Sequence, residues 1–451
     1  MDSSVNNQKQ DMVNILKFSA QYDMSKSGNV IRVARHIQAN NMMTSAIGRQ
    51  YQQRLIAISN SSDKKDHTCL FCKTSKAEDG ILCENCMSKY TGGRLKFKHD
   101  TAPISTQSKP SDNLVPVTQT VKTGSEISDI ASKTIGKFAN KVDELAGGEG
   151  KAELDIRVLF SAVFKKHTSD EAERIFICGT KTTTPPIKDI QTNWPAPWLY
   201  SRVALGLLLA FVILEVAWNL TGNTNLLPGM MFVGSCIVPL SVVIFFFETN
   251  VPQNISIFRA VQVFFIGGCA SLLSTLIIFM IVPVGDLNFI GAILVGIIEE
   301  VGKMIIVALF IKRMRDCIYV LNGLLIGGAV GAGFAVFESA GYAFRILLSE
   351  GYESMVSNIN MRAVMSPGGH VAWAAITGAA IMLALSGKKF TWDVLKNGKF
   401  LRLFVIPIIL HSVWDMPIGI MLIYPVLILA AWITLLVLIQ NGLKEINRFS
   451  L

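Results

Sequence analysis

The sequence GAILVGIIEEVGKMIIVALF, residues 291–310, decides how this chain folds, because three charged residues interrupt an apolar run of bilayer-spanning length. They are Glu299, Glu300 and Lys303. A charge at mid-bilayer costs about 2.5–3.5 kcal/mol on insertion scales, so such residues mark functional sites. The two glutamates point about 100° apart on a helix, so we expect different roles for them. Lys303 lies at the right spacing to neutralise one of them.

The apolar segments that follow carry four more ionisable side chains: Glu338, His370, His411 and Asp415. His411 and Asp415 are four residues apart and share a helix face, which suits a carboxylate that orients an imidazole. Glu338 lies toward the outer edge of a straight helix, so a tilt or bend is needed to bring it inward. We therefore expect one shared polar site within the membrane helices.

The chain of 451 residues is 51% hydrophobic, with a mean hydropathy of +0.42, which indicates a membrane protein. We predict an all-α polytopic fold with about eight transmembrane helices. Their expected bounds are about 200–219, 227–247, 260–282, 289–311, 318–347, 369–386, 401–416 and 418–440. Pro417 separates the last two, which form either a tight hairpin or one broken helix.

Composition divides the chain into a polar N-terminal part and an apolar remainder. The predicted parts are an N-terminal arm (1–60), a four-cysteine domain (61–99), a linker (100–125), a cytosolic helical region (126–198), a transmembrane domain (199–441) and a tail (442–451). With eight spans and a cytoplasmic N-terminus, the inner loops and tail hold eleven Lys and Arg residues and the outer loops hold two, Arg345 and Arg362. This bias predicts a multi-pass protein of the cell membrane with both termini in the cytoplasm.

Two Cys-x2-Cys pairs lie close together in the polar part: Cys69, Cys72, Cys83 and Cys86. Four thiolates at this spacing predict a structural Zn²⁺ site that resembles a zinc ribbon. Disulfides are disfavoured in a reducing cytosol. The segment is expected to bind a cytosolic protein partner, whereas nucleic acid is not expected.

The buried carboxylates and imidazoles predict hydrolysis. A carboxylate kept dry can take a proton from water, and a nearby imidazole can stabilise an oxyanion or protonate a leaving amine. The same groups can hold a catalytic metal, so metal dependence stays open. The sequence contains no His-Glu-x-x-His helix motif and no Gly-x-Ser-x-Gly, which disfavours a zincin-type site and a serine nucleophile.

Three motifs in order then resemble a known family. Glu299-Glu300-Val-Gly-Lys303, Phe334-Ala-Val-Phe-Glu338 and His411-Ser-Val-Trp-Asp415 are similar to the Glu-Glu-x-x-Lys, Phe-x-x-x-Glu and His-x-x-x-Asp motifs of PrsW-type intramembrane proteases. The likeness covers about residues 200–440 and extends to the wider group of CAAX-processing and bacteriocin-related membrane proteases. It implies an endopeptidase that cuts a membrane-anchored protein near the outer face, an anti-sigma factor in the best-known case. The zinc-ribbon-like head lies outside the family pattern.

Two other functions remain open at this point. Intramembrane acids and histidines also relay protons, so a proton-coupled transporter or channel is one alternative. A catalytically inactive sensor or scaffold that reads a cytosolic partner through its four-cysteine head is the other.

Overall fold

The computed structural model of the chain describes residues 124–450, with side chains described for 131–448. The predicted zinc site of Cys69, Cys72, Cys83 and Cys86 lies outside these residues. Within 124–450 helices are the only regular secondary structure, which confirms the predicted all-α class for this part.

The helices, in chain order, are α1 (Gly124–Ala146), α2 (Ile156–Phe160), α3 (Ser169–Phe176), α4 (Leu199–Thr221), α5 (Leu227–Thr249), α6 (Ile257–Gln262), α7 (Gly268–Ile281), α8 (Phe289–Arg313), α9 (Val320–Glu350), α10 (Tyr352–Met365), α11 (His370–Leu385), α12 (Gly398–Asp415) and α13 (Ile423–Ser450). One π-helical turn, Val263–Gly267, joins α6 to α7. Each of the eight predicted apolar segments coincides with a helix or, in one case, with the continuous stretch from α6 to α7.

Six stretches are long and apolar enough to cross a membrane: Leu199–Thr221, Thr224–Thr249, Ile257–Ile281, Val320–Glu350, Tyr352–Leu385 and Ile423–Arg448. This supports a multi-pass membrane protein. Helices α8 and α12 also fall on predicted spans, but each carries at least three charged residues. Six of the eight predicted spans are therefore supported by length and composition, and the total of eight stays a prediction.

Helices α9 and α11 form the centre of the bundle. Every residue from 320 to 336 on α9 and from 371 to 382 on α11 is buried. Gly327 and Gly331 on α9 lie so close to α11 that an added Cβ would collide with the carbonyl oxygens of Ala374 and His370. Small residues allow helices to approach in this way. The close contact fixes His370, the first residue of α11, against the side of α9.

The segment between α9 and α11, expected to be an outer loop, is mostly the helix α10. It buries Met355, Val356 and Ile359 against a cluster that includes Phe211 on α4 and Met230 on α5. The helix has only 14 residues and also carries exposed polar side chains, Glu353, Ser357 and Asn360, so its sequence alone does not read as a span. Arg362, assigned from the sequence to that loop, lies on α10.

The juxtamembrane segment is tied to the start of α4. The Glu248 carboxylate accepts hydrogen bonds from the backbone N–H groups of Trp198, Leu199 and Tyr200 at 2.8–2.9 Å. These N–H groups have no partner within the helix, and the carboxylate also suits its positive end. The His167 ring stacks on Trp198 with centroids 3.8 Å apart. These contacts hold the region of α2 and α3 at one end of the bundle.

Candidate active site

The seven ionisable residues singled out from the sequence come together, joined by contacts shorter than 4 Å. They are Glu299, Glu300 and Lys303 on α8, Glu338 on α9, His370 on α11, and His411 and Asp415 on α12. Glu300 and Lys303 are completely buried, and His411 is 2% exposed. The expected shared polar site is thus present, although the part that each residue plays in any reaction stays a prediction.

Glu300 holds the centre of the cluster. Its Oε1 lies 2.6 Å from the Lys303 ammonium and 2.8 Å from Nδ1 of His411. A carboxylate only accepts hydrogen bonds, so His411 donates from Nδ1. The other nitrogen, Nε2, faces Oδ2 of Asp415 at 3.3 Å and Oε2 of Glu299 at 3.7 Å. Two carboxylates beside Nε2 attract a proton or a metal cation to that position.

His370 has a tautomer that its partners determine. Its Nδ1 lies 2.8 Å from the Lys303 ammonium, which can only donate, so Nδ1 accepts. The ring proton is then on Nε2, which lies 3.0 Å from Oε2 of Glu338 and donates to it. Glu338 therefore joins the cluster through His370. The same carboxylate oxygen accepts a hydrogen bond of 2.6 Å from Arg362 on α10.

Glu299 faces the two imidazoles rather than the centre of the cluster. Its Oε2 lies 3.9 Å from Nδ1 of His370, 3.7 Å from Nε2 of His411 and 3.8 Å from Lys303. Among the described residues this buried oxygen has no hydrogen-bond partner. Adjacent glutamates therefore have different surroundings, as expected from their 100° separation.

Glu299, His370 and His411 can hold a metal ion. One donor atom from each lies within 4.8 Å of the other two. Two imidazoles and one carboxylate form a donor set known from catalytic zinc sites, whose ligand atoms lie about 3.3–3.6 Å apart at bond lengths of about 2.0–2.2 Å. The separations of 3.7 and 3.9 Å from Glu299 Oε2 to the imidazoles need to shorten by only a few tenths of an ångström.

The remaining nitrogens of both histidines are held by carboxylates, Glu300 for His411 and Glu338 for His370. Carboxylate–histidine pairs of this kind fix the ring orientation and raise the basicity of the ligand at metal centres. The unpaired oxygen of Glu299 and these two pairs together fit a divalent cation.

Lys303 competes for one of these donors. The lone pair on Nδ1 of His370 binds either the ammonium hydrogen or a metal ion, so a cation at this site replaces the contact of 2.8 Å. The ammonium would keep Glu300 as its partner, and it also lies over the Phe334 ring, 4.5 Å from the centroid. Phe334, the first residue of the second motif, thus lies beside the buried charge.

Two further residues, Trp373 and Arg362, contact the site and were not predicted from the sequence. Trp373 stacks on the His411 ring at 4.4 Å and meets the His370 ring edge-on at 5.0 Å, so it contacts both imidazoles. It lies one helical turn after His370, a spacing that could have indicated it. Arg362 was hidden because its segment read as a loop.

The comparisons with known proteins bear on this cluster. Residues 256–439 match the model of the PrsW family intramembrane metalloproteases. The matched part contains all seven residues of the cluster and runs from the residue before α6 into α13. The predicted enzyme class, a PrsW-like peptidase, is thereby confirmed. No curated protein and no solved structure matches the chain.

The PrsW-like domain thus coincides with the part of the chain that carries the site. The family description as metalloproteases agrees with the Glu299, His370 and His411 donor set. These donors come from three helices, α8, α11 and α12, so no short motif in the sequence could reveal them as a set. The match begins after α5 and therefore leaves α1 to α5 outside it.

Proposed function

We propose that the PrsW-like domain hydrolyses peptide bonds of membrane-anchored proteins in the site formed by α8, α9, α11 and α12. The observation that carries this proposal is the convergence of Glu299 Oε2, His370 Nδ1 and His411 Nε2, with carboxylates behind both imidazoles. His370 begins α11 and Asp415 ends α12, which supports cleavage near that membrane face.

In this proposal Glu299, His370 and His411 bind a divalent cation such as Zn²⁺. Such an ion polarises a carbonyl and lowers the pKa of water toward neutrality. The Glu338 and Glu300 carboxylates hold the two imidazoles in the required tautomers. Trp373 keeps the ring of His411 in position by stacking on it.

Glu300 is the proposed general base. Its Oε1 is occupied by Lys303 and His411, and its buried Oε2 has no hydrogen-bond partner among the described residues. Oε2 takes a proton from water as the water oxygen bonds to the carbonyl carbon. The proton then passes to the amide nitrogen as the C–N bond breaks, which leaves a new carboxylate and a new amine. A positioned base contributes about 10²–10⁴-fold to such a reaction.

Lys303 and Asp415 complete the proposed electrostatics. The Lys303 ammonium lies 2.6 Å from Glu300, so it stabilises the ionised base before the proton arrives. Asp415 lies 3.3 Å from Nε2 of His411 and is the most exposed carboxylate of the cluster. It can guide a cation or a substrate amine toward the buried donors.

The substrate proposed here is a protein with a single membrane anchor, of which an anti-sigma factor is one example. Both termini are proposed to be cytoplasmic, and the four-cysteine head is proposed to hold Zn²⁺ and to bind a cytosolic protein. A purely glutamate-dependent reaction remains the rival mechanism. It predicts that cleavage survives a metal chelator, whereas the metal-dependent reaction predicts its loss.

A proton relay across the membrane is disfavoured. The hydrogen-bonded series runs from Arg362 and Glu338 through His370, Lys303 and Glu300 to His411 and Asp415. Both of its ends lie near the same end of the bundle, where α11 begins and α12 ends. Transport would need a second polar path to the other end, and residues 320–336 of α9 are buried there and mostly apolar.

The test is a comparison of membrane proteomes from cells that express the wild-type chain or the Glu300→Gln variant at equal abundance. We expect at least one single-span protein to be truncated only with the wild type. Asp393→Asn is a suitable control, since Asp393 is 85% exposed and lies between α11 and α12, at the opposite ends of these helices from His370 and Asp415. Identical fragments with wild type and Glu300→Gln would refute the proposed base.

A further inference from the structure

A basic cavity lies at the end of α11 that is opposite His370. A cavity of about 290 Å³ opens there between the ends of α8 and α11 and the loop that leads into α9. Its volume is just below the range of about 300–1,000 Å³ that is typical of ligand sites. It shares none of the seven residues of the candidate active site.

The rim of this cavity is basic. Four exposed cations line it: Lys312, Arg315, Lys388 and Lys389. Beneath them the walls are apolar, with Ile311, Met382 and Leu385 all buried. The cavity thus combines a cationic mouth with an apolar floor.

These cations have no acidic partner in the described part of the chain. The two acids closest to them in sequence are engaged elsewhere: Asp316 pairs with Arg259 at 2.6 Å, and Asp393 lies 3.5 Å from Lys396. Cys317 also lines the cavity, and burial raises the pKa of its thiol to about 12, so it adds no negative charge. The positive charge at the mouth is therefore uncompensated.

The cavity lies beside the ends of two apolar stretches, where a membrane interface is expected. Helix α9 begins and α11 ends beside it, and both belong to stretches apolar enough to cross a membrane. The Lys312 ammonium lies over the Trp392 ring, 5.5 Å from the centroid, and Phe390 packs edge-on against the same ring. Tryptophan is enriched where helices leave the hydrocarbon core. An excess of Lys and Arg in the loops on one side of a membrane is common. That excess does not explain why these four cations surround an apolar cavity.

We propose that this cavity binds the phosphate group of an anionic phospholipid, with the apolar floor in contact with the start of an acyl chain. A free phosphate would satisfy the four cations equally well but would leave the apolar floor in contact with water. Basic pockets between membrane helices are known to take anionic headgroups in this way. This site is independent of the proposed peptidase reaction.

The test is native mass spectrometry of the purified full-length chain titrated with phosphatidylglycerol or with phosphatidylcholine. We expect one phosphatidylglycerol to bind at least about 10-fold more tightly than phosphatidylcholine. Each cation near a membrane surface contributes a factor of about five, so Arg315→Gln combined with Lys388→Gln should weaken phosphatidylglycerol binding about 10- to 30-fold. Both side chains are exposed, so the fold should persist.

The matched control is Lys396→Gln. Lys396 lies in the same connection between α11 and α12 as Lys388 and Lys389, but it does not line the cavity. The affinity of this variant for phosphatidylglycerol should stay within about twofold of the wild type. Equal binding of the two lipids, or equal losses in the double variant and the control, would overturn the proposal. Displacement of the lipid by millimolar inorganic phosphate would also overturn it, in favour of a soluble phosphate ligand.

Discussion

Replacing Glu338 by Gln probes the metal centre without removing any of its proposed ligands. Glu338 accepts the Nε2 hydrogen of His370 at 3.0 Å and a hydrogen bond from Arg362 at 2.6 Å on the same oxygen. Glutamine keeps the shape and one acceptor oxygen but loses the negative charge. The imidazole of His370 then becomes less basic, so its Nδ1 binds a metal cation more weakly. Loss of such a supporting carboxylate typically lowers metal affinity 10- to 100-fold. That corresponds to about 1.4–2.7 kcal/mol of binding free energy.

The assay is competition for Zn²⁺ between the purified protein and a fluorescent chelator. It is carried out with the four predicted zinc cysteines replaced by serine, so that only the membrane site contributes. Glu353→Gln is the matched control, because Glu353 lies on α10, near the same end, but is exposed. We expect the control to bind like the parent and Glu338→Gln to bind at least 10-fold more weakly. Equal affinities for Glu338→Gln and the parent, with both proteins folded, would refute the role given to Glu338.

Four further outcomes are expected. His411→Ala should abolish both Zn²⁺ binding and proteolysis while its abundance in membranes stays unchanged; wild-type proteolysis in this variant would remove His411 from the site. Arg362→Gln removes the cation that neutralises Glu338, so Zn²⁺ affinity should rise several-fold, whereas Arg345→Gln should leave it unchanged because Arg345 lies over the same Tyr342 ring but pairs with no carboxylate; equal effects would show that only the ring contact matters. Burial raises the pKa of the Cys178 thiol to about 11, so its thiolate fraction at pH 8 is small and a maleimide should label it slowly until the protein is denatured; rapid labelling in the folded protein would contradict its burial. Cys69→Ser should lower the zinc content of the full-length chain by about one ion per molecule, and an unchanged content would rule out the predicted four-cysteine site.

The positions of the helices were largely predictable from the sequence, because apolar runs of about 20 residues have few alternatives to a helix. Helix α10 was not predictable, because its buried residues Met355, Val356 and Ile359 are interspersed with polar ones. The break at Pro417 was left open, and the structure has two separate helices, α12 ending at Asp415 and α13 beginning at Ile423.

The convergence of the seven ionisable residues was also predictable, because each charge would be costly alone in a membrane. Which of these residues contact each other was not predictable. Whether Glu338 reaches His370 depends on how closely α9 and α11 approach at Gly327 and Gly331, and the contact of Lys303 with His370 depends on how α8 packs against α11. Periodicity along one helix carries no information about those distances. The same limit hid Arg362, whose partner is 24 residues away on another helix.

The central claim is that Glu299, His370 and His411 bind a metal ion supported by Glu300 and Glu338. An anomalous difference map of the zinc-loaded protein, recorded at the zinc absorption edge, tests it most directly. The account predicts a peak about 2.0–2.2 Å from one donor atom of each of the three residues, with Lys303 moved off Nδ1 of His370. A zinc-loaded protein without a peak there, in which Lys303 still contacts His370, would contradict it.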